Sequence, residues 1–237
     1  SIQDVGLGKL GKVIIKILER LGKFCDAILV PSRVELELAI NELKYPKNKT
    51  YILPNVIDFE EFQKYEPAKL ERPAIVFVGG MNYPPNREAA ETIIKIAKKL
   101  AEEKGINANF YLVGPSPPKV KPPVYATGYV ESTKPYIKGA DILIAPIFRG
   151  GGIKLKMLEY MASGKPIIAT RKAAEGIDEI IYINAETVDE FVDRIIDVLR
   201  GKITLDFSQN VMLVKEKYVP SATVEILLKI LLEIFKK

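Results

Sequence analysis

The sequence predicts an α/β protein built on a doubly wound parallel sheet. Two observations predict it. From Pro73 onward, short continuous apolar runs alternate at least five times with helix-length segments. Strands buried on both faces read this way, because helices cover a parallel sheet above and below. Two of those runs also end in glycine-rich turns that lead into helices: FVGGMNYPPNREAA (Phe77 to Ala90) and PIFRGGGIKLKMLE (Pro146 to Glu159). In such folds ligands bind beyond the carboxyl ends of the strands, where turns of this kind sit.

The elements follow in order. Residues 9–24 carry Leu10, Val13, Ile14, Ile17, Leu18 and Leu21 at helical spacing. AILV (Ala27 to Val30) is a strand, and Ser32 caps a helix over RVELELAINEL. YILPNVIDFEEF (Tyr51 to Phe62) reads as a strand, a Pro-Asn turn and a helical turn, and the polar stretch Tyr65 to Arg72 as a linker. AIVFVGG (Ala74 to Gly80) is a strand, Arg87 to Gly105 an amphipathic helix stopped by glycine, and ANFYLVG (Ala108 to Gly114) and VYATGYV (Val124 to Val130) are strands. TKPYIKGAD is a short helix and ILIAP (Ile142 to Pro146) a strand. The second glycine turn then opens a helix, followed by strands PIIAT (Pro166 to Thr170) and IIYIN (Ile180 to Asn184). Val188 to Gly201 is a helix with a glycine stop, and Ser221 caps a last helix to Lys237. No internal repeat or low-complexity tract occurs.

Composition excludes several chemistries. The 237 residues contain no histidine and one cysteine. A zinc site of the usual kind and a histidine-activated nucleophile are therefore not expected. Cys25 alone makes no internal disulfide and suits a reducing cytoplasm. The start of the sequence lacks the pattern of a secretory signal, and no apolar run approaches a membrane span. The net charge of +5 suits an anionic ligand or an anionic membrane surface. There is no basic block and no aromatic-plus-arginine motif, so nucleic acid is not an expected partner.

Glycines at strand ends let a ligand approach the backbone, and the amides of the following helix attract an anion, typically phosphate. Neither turn fits a P-loop or a dinucleotide fingerprint: Gly152 is followed by Ile153 and Lys154, not by Lys-Ser/Thr. In the second helix Ile153, Met157 and Met161 form an apolar face, while Lys156, Glu159, Tyr160 and Ser163 lie on another. Lys156 and Glu159 suit a surface ion pair. The other reading of Glu159 is a carboxylate that takes hydrogen bonds from two adjacent sugar hydroxyls.

Several blocks resemble the donor-binding half of a GT-B glycosyltransferase of the large retaining group called family 4. CDAILVPSR, YILPNVIDFEEF, FVGGMNYPPNREAA, FYLVGPSP, YATGYV, GADILIAPIFRGGGIKLKMLEYMASGKPIIAT and AAEGID stand in that family's order, over roughly residues 25–200. The resemblance implies a Rossmann-like donor domain over residues 67–215, an end of the N-terminal acceptor domain and linker over 1–66, and a crossing helix over 216–237. It places donor-binding positions on Gly79, Gly80, Asn82, Asn86 and Arg87 in the first turn. In the second it places them on Arg149, Gly150, Gly151, Gly152, Ile153, Lys154, Lys156 and Glu159. Glu159 matches the glutamate that holds the nucleotide ribose. The family's other glutamate would fall on Gly151, so that carboxylate is missing here, and no catalytic residue is assigned. The basic pair that usually grips the diphosphate is not plain in MNYPPNR, which leaves Arg87, Arg149, Lys154 and Lys156 as candidates.

The implied reaction moves a sugar from a UDP-sugar or GDP-sugar to an acceptor glycan or lipid-linked sugar, with retention and with no obligatory cofactor or metal. The alternative is a non-catalytic sugar-nucleotide-binding subunit. The acceptor half is expected from an N-terminal domain, a partner chain or a second copy. The apolar last helix and the first helix, with Lys9, Lys12, Lys16 and Arg20, are candidate contacts for that partner. The same two helices suit peripheral contact with the inner face of a membrane, in a chain otherwise expected to be cytoplasmic.

Overall fold

The structure, a computed structural model, describes residues 13–14, 17–18, 20–22 and 24–236. Lys9, Leu10, Lys12 and Lys16 of the first expected helix lie outside the described residues; those described between 13 and 24 are all helical. No helix among the described residues is long and apolar enough to cross a membrane.

A small unit comes first. Strand β1 (Ile28–Val30) pairs in parallel with β2 (Thr50–Ile52) through helix α1 (Arg33–Asn41). Ser32 caps α1 as expected, its hydroxyl accepting from the Val34 amide at 3.2 Å. Asp58 caps α2 (Phe59–Lys64) through the Glu61 amide at 2.8 Å. The following linker is irregular but not free, since the Ala68 amide donates to the Pro135 carbonyl at 2.8 Å.

The main body is a six-stranded parallel sheet. Its strands are β3 (Ala74–Val78), β4 (Asn109–Val113), β5 (Val124–Gly128), β6 (Ile142–Ala145), β7 (Ile167–Ala169) and β8 (Ile183–Asn184), in the order β5-β4-β3-β6-β7-β8. Every residue of β3, β6 and β7 is buried, which explains why these runs are apolar without alternation. The helices are α3 (Pro84–Lys104), α4 (Lys134–Gly139), α5 (Leu155–Ser163), α6 (Arg171–Ala174), α7 (Val188–Leu199), α8 (Ser208–Lys217) and α9 (Pro220–Phe235). α3 packs against α7, and α5 packs against α4 and α8. The fold is the doubly wound parallel sheet expected from the sequence.

Some boundaries differ. α3 starts three residues before Arg87, because Pro84 at its first turn has the backbone angle a helix needs and no amide to leave unpaired. Gly105 ends it in the left-handed conformation, as expected. The last helix is capped at Val219 with Pro220 at its first position, so Ser221 is not the cap. β8 is only two residues, shorter than IIYIN suggested, because the Ile181 amide and carbonyl are taken by the Asn210 side chain at 2.8 and 2.7 Å.

Candidate functional site

The strand order reverses direction at β3. The chain moves outward through β4 and β5, returns, and continues on the other side through β6, β7 and β8. Such a switch point leaves a crevice at the carboxyl ends of the two central strands. Both glycine turns lie there, the first after β3 and the second after β6.

β3 and β6 pair only at Ile75–Ile142 and Val76–Leu143. Beyond that the strands separate, and Tyr160 of α5 fills the gap. Its hydroxyl accepts from the Val78 amide at 3.0 Å and faces the Ile144 carbonyl at 3.5 Å. The sequence placed Tyr160 on a polar face with Lys156 and Glu159; the structure buries it completely. Full burial pushes its hydroxyl pKa up. The phenol thereby ties the second half of α5 to the sheet between β3 and β6.

The second turn presents bare backbone. Among the described residues, the peptide N–H groups of Gly150, Gly151, Gly152, Ile153 and Lys154 have no hydrogen-bond acceptor. α5 follows with Lys154 at its cap position and no side chain closing its end. Unpaired amides and the helix dipole together make this end electropositive. Gly150 has φ 105°, and a Cβ there would lie 3.1 Å from the Tyr83 hydroxyl. Glycine is needed there for that backbone angle.

Four basic side chains were candidates for an anion, and the structure separates them. Lys156 reaches across to the first turn. Its ammonium donates to Asn86 Oδ1 at 2.7 Å and lies 4.2 Å from the centre of the Phe77 ring. Asn86 is fixed in turn by its amide donating to the Gly80 carbonyl at 2.9 Å. A Cβ on Gly79 would stand 2.7 Å from the Lys156 ammonium, so Gly79 makes room for it. Burial pushes the Lys156 pKa down to about 7, with Glu159 opposing the shift and Lys154 adding to it. The surface ion pair considered for Lys156 and Glu159 does not form; the short contact of Lys156 is with Asn86.

Lys154 turns inward instead. Its ammonium donates to the Gly152 carbonyl at 2.8 Å and lies 3.5 Å from that of Gly150, with Glu175 at 4.0 Å. Burial lowers its pKa, and Glu175 counteracts. Lys154 thus ties down the carbonyls of the turn, while the amides stay unpaired. Arg149 is exposed and grips Glu88 of α3, with Nε 2.9 and 2.7 Å from the two carboxylate oxygens. That bond holds the Glu88 pKa below the usual carboxylate range. Arg87 makes a long contact to the Ser116 carbonyl at 3.4 Å, and Asn82 is exposed.

A cavity of about 330 Å³ joins the two turns. It is lined by Asn86, Arg149, Gly150, Gly151, Ile153, Lys154 and Lys156 of the expected residues, and by Tyr83, Pro85, Ile147 and Leu155. Gly79, Gly80, Asn82, Arg87, Gly152 and Glu159 are outside its lining. Ile153 precedes α5 rather than beginning its apolar face. Glu159 lies one turn along α5, half-buried beside Lys134, Glu61 and Thr133. Burial raises its pKa, and Lys134 is the strongest of the groups that pull it back. Sequence reasoning missed Tyr83 and Thr133, because a loop side chain carries no periodicity that would mark it.

A family model described as Glycosyl transferases group 1 matches residues 72–201. No curated protein sequence matches the chain. Among solved structures, a glycosyltransferase from Rickettsia africae superposes with a TM-score of 0.69 at 14% identity over 89% of this chain and 64% of its own. Sucrose-phosphate synthase from Thermosynechococcus elongatus gives 0.72 at 16% identity, over 95% of this chain and 62% of its own. HepE from Anabaena, in complex with UDP, gives 0.72 at 10% identity, over 92% of this chain and 67% of its own. The chain therefore spans about two thirds of the length of these proteins. At such identities the likeness is one of fold. The family model covers more than half of the residues, including both glycine turns and α5, and on that ground the chain belongs to the group 1 glycosyl transferases.

Proposed function

We propose that the chain carries the donor-binding half of a retaining, metal-independent hexosyltransferase that uses a UDP-sugar or GDP-sugar. One observation carries the reading: the peptide N–H groups of residues 150–154 are unpaired, and four of those residues, Gly150, Gly151, Ile153 and Lys154, line a cavity together with Lys156. A diphosphate supplies acceptors for these amides and for the remaining donors of Lys156. Anabaena HepE has been solved with UDP and with UDP-glucose, which agrees with a nucleotide sugar as donor.

In this reading Glu159 holds the ribose hydroxyls, and the diphosphate lies over Lys156 and the start of α5. The bond between the sugar anomeric carbon and the β-phosphate oxygen breaks, and negative charge grows on that oxygen. The amides and Lys156 stabilise it without reorganising, because Lys154 and Asn86 already hold them in place. The sugar passes to an acceptor glycan or lipid-linked sugar, bound by an N-terminal domain, a partner chain or a second copy. Residues 1–66 are the end of the acceptor domain, 67–215 the donor domain and 216–237 the crossing helix. Gly151 offers no carboxylate to the donor, and this favours a second reading in which the chain is a sugar-nucleotide-binding subunit without activity of its own.

Calorimetric titration with UDP, GDP and their sugars tests the reading. One nucleotide series binds, and Glu159→Ala weakens it by about 1–3 kcal/mol with the fold intact. Failure of every nucleotide to bind removes the proposal, and unchanged affinity in Glu159→Ala removes the ribose contact.

A further inference from the structure

Among the described residues that line the cavity between the two turns, Tyr83 supplies the one hydroxyl. The local sequence puts it there. Pro84 follows Tyr83, and a residue before proline avoids the helical conformation. Tyr83 is accordingly extended and caps α3 instead of joining it. Its carbonyl accepts from the Asn86 and Arg87 amides at 3.0 and 3.1 Å, and its amide donates to the Gly80 carbonyl at 3.3 Å. With the backbone held at both groups, the side chain leaves the end of α3 and crosses to the second turn. There its hydroxyl stands 3.1 Å from the place of a Cβ on Gly150, and the Pro85 ring 3.5 Å from the same point.

The polar side chains of this lining differ in how far they are engaged. Asn86 is used at both ends, accepting from Lys156 at 2.7 Å and donating to the Gly80 carbonyl at 2.9 Å. Arg149 is held by Glu88, and Lys154 by the carbonyls of its own turn. Lys156 keeps donors beyond the one it gives to Asn86. The Tyr83 hydroxyl has no hydrogen-bond partner among the described residues, and the side chain is half-exposed. Its proton is free to turn toward an acceptor that enters the cavity.

Position decides which acceptor that is. The unpaired amides run from Gly150 to Lys154, and α5 continues through Lys156 to Glu159. A nucleoside diphosphate sugar runs pentose, diphosphate, sugar. With the pentose at Glu159 and the diphosphate along the amides, the phosphate that bears the sugar is the one at the Gly150 end, where the Tyr83 hydroxyl stands.

We propose that the Tyr83 hydroxyl donates a hydrogen bond to the sugar-bearing phosphate of the donor, closing the anion cradle from the side of the first turn. The inference rests on the donor-site reading above. It gives the first turn a direct donor to the diphosphate, where Asn86 acts only by positioning Lys156. Negative charge grows on that phosphate as its bond to the sugar breaks, so the hydrogen bond strengthens as the reaction proceeds.

Titrating Tyr83→Phe with UDP and UMP tests it, with GDP and GMP run in parallel in case the site prefers guanine. Phenylalanine keeps the ring against Gly150 and removes only the hydroxyl. Affinity for the diphosphate falls about tenfold, and affinity for the monophosphate, whose phosphate lies on the pentose side, stays the same. Since the hydroxyl has no partner in the described residues, the denaturant midpoint without nucleotide is unchanged, which reports an intact fold. A lowered midpoint would assign the hydroxyl to a bond within the protein and overturn the inference. Diphosphate affinity equal to that of the wild type overturns it too, while leaving the donor site standing. So does equal weakening of UMP and UDP, or weakening of UDP-glucose alone, because the hydroxyl would then meet the other phosphate or the sugar. If the wild-type protein binds no nucleotide, the donor-site reading fails first and this one with it.

Discussion

Lys156 and Lys154 are two residues apart, yet they do different work, and only the fold distinguishes them. Lys154 spends its donors on the carbonyls of its own turn, whereas Lys156 has one amide oxygen and an aromatic face. The consequence is a pH dependence with a definite sign. Burial lowers the Lys156 pKa from 10.5 in the open chain to about 7 in the fold. Between those values the unfolded chain binds more protons, so this group's contribution to stability rises with pH across that window. A bound diphosphate reverses the preference by stabilising the ammonium. Affinity for a sugar nucleotide, whose diphosphate has no proton to lose near neutrality, is therefore highest below pH 7. It falls above that by up to about tenfold per pH unit, until the lysine of the complex titrates. Glu159 and Lys154 face the same ammonium and set where the fall begins. Titrations over roughly pH 6 to 9 check this. Lys156→Met flattens the profile and weakens binding by about 1.5–3 kcal/mol. A flat profile in the wild-type protein would show that Lys156 does not meet the diphosphate.

At the scale of elements, one hydroxyl links α5 to the place where the central strands part. Where β3 and β6 part, the Val78 amide loses its strand partner, and Tyr160 replaces it. Tyr160→Phe keeps the ring in the core but strands that amide in a buried place. The expected cost is about 1–3 kcal/mol, read as a lower denaturant midpoint with an unchanged slope. Nucleotide affinity falls as well, since α5, which carries Lys156 and Glu159, loses a tether to the sheet. Unchanged stability would mean that the amide finds another partner. The alternation of strands and helices was legible because buried parallel strands are apolar throughout and helices repeat at 3.6 residues. The glycine turns were legible because few other residues tolerate such backbone. Tyr160 was not, because helical spacing placed it with Lys156 and Glu159, and nothing in the spacing says that the strands open opposite it. The Lys156–Asn86 contact was likewise hidden, since its partners are far apart in sequence and meet only through the strand order. Ser221 looked like a cap by residue type, but Pro220 before it fits the first helical position better.

At the scale of the whole molecule, an unspent apolar surface remains. The sequence reads α9 as apolar nearly all round, and the structure buries only Ile230 of it fully. Val224, Leu228, Leu231, Leu232 and Phe235 stay exposed, Leu232 at 60% and Phe235 at 82%. Val13, Ile14, Ile17, Leu18 and Leu21 near the other end are exposed too. A helix this apolar on its outer side is stable in water only at a cost, which association removes. Binding of a hydrophobic dye and concentration-dependent growth in hydrodynamic size are therefore expected of the isolated chain. Strengthening with added sulfate is also expected, as sulfate favours burial of apolar surface. Replacing Leu228 and Leu232 together by lysine removes both behaviours. The replacement raises the net charge from +5 by two, which adds electrostatic repulsion, so a control replaces Glu225 and Glu233 on the same helix by glutamine, which raises it by the same amount. If the control suppresses association as well as the leucine variant does, charge is responsible and the apolar stripe is not. Nucleotide affinity should be the same in all three proteins, because the crevice between β3 and β6 is built from other elements. A loss of affinity in the leucine variant alone would mean that the outer side of α9 and the donor crevice are coupled through the body of the sheet.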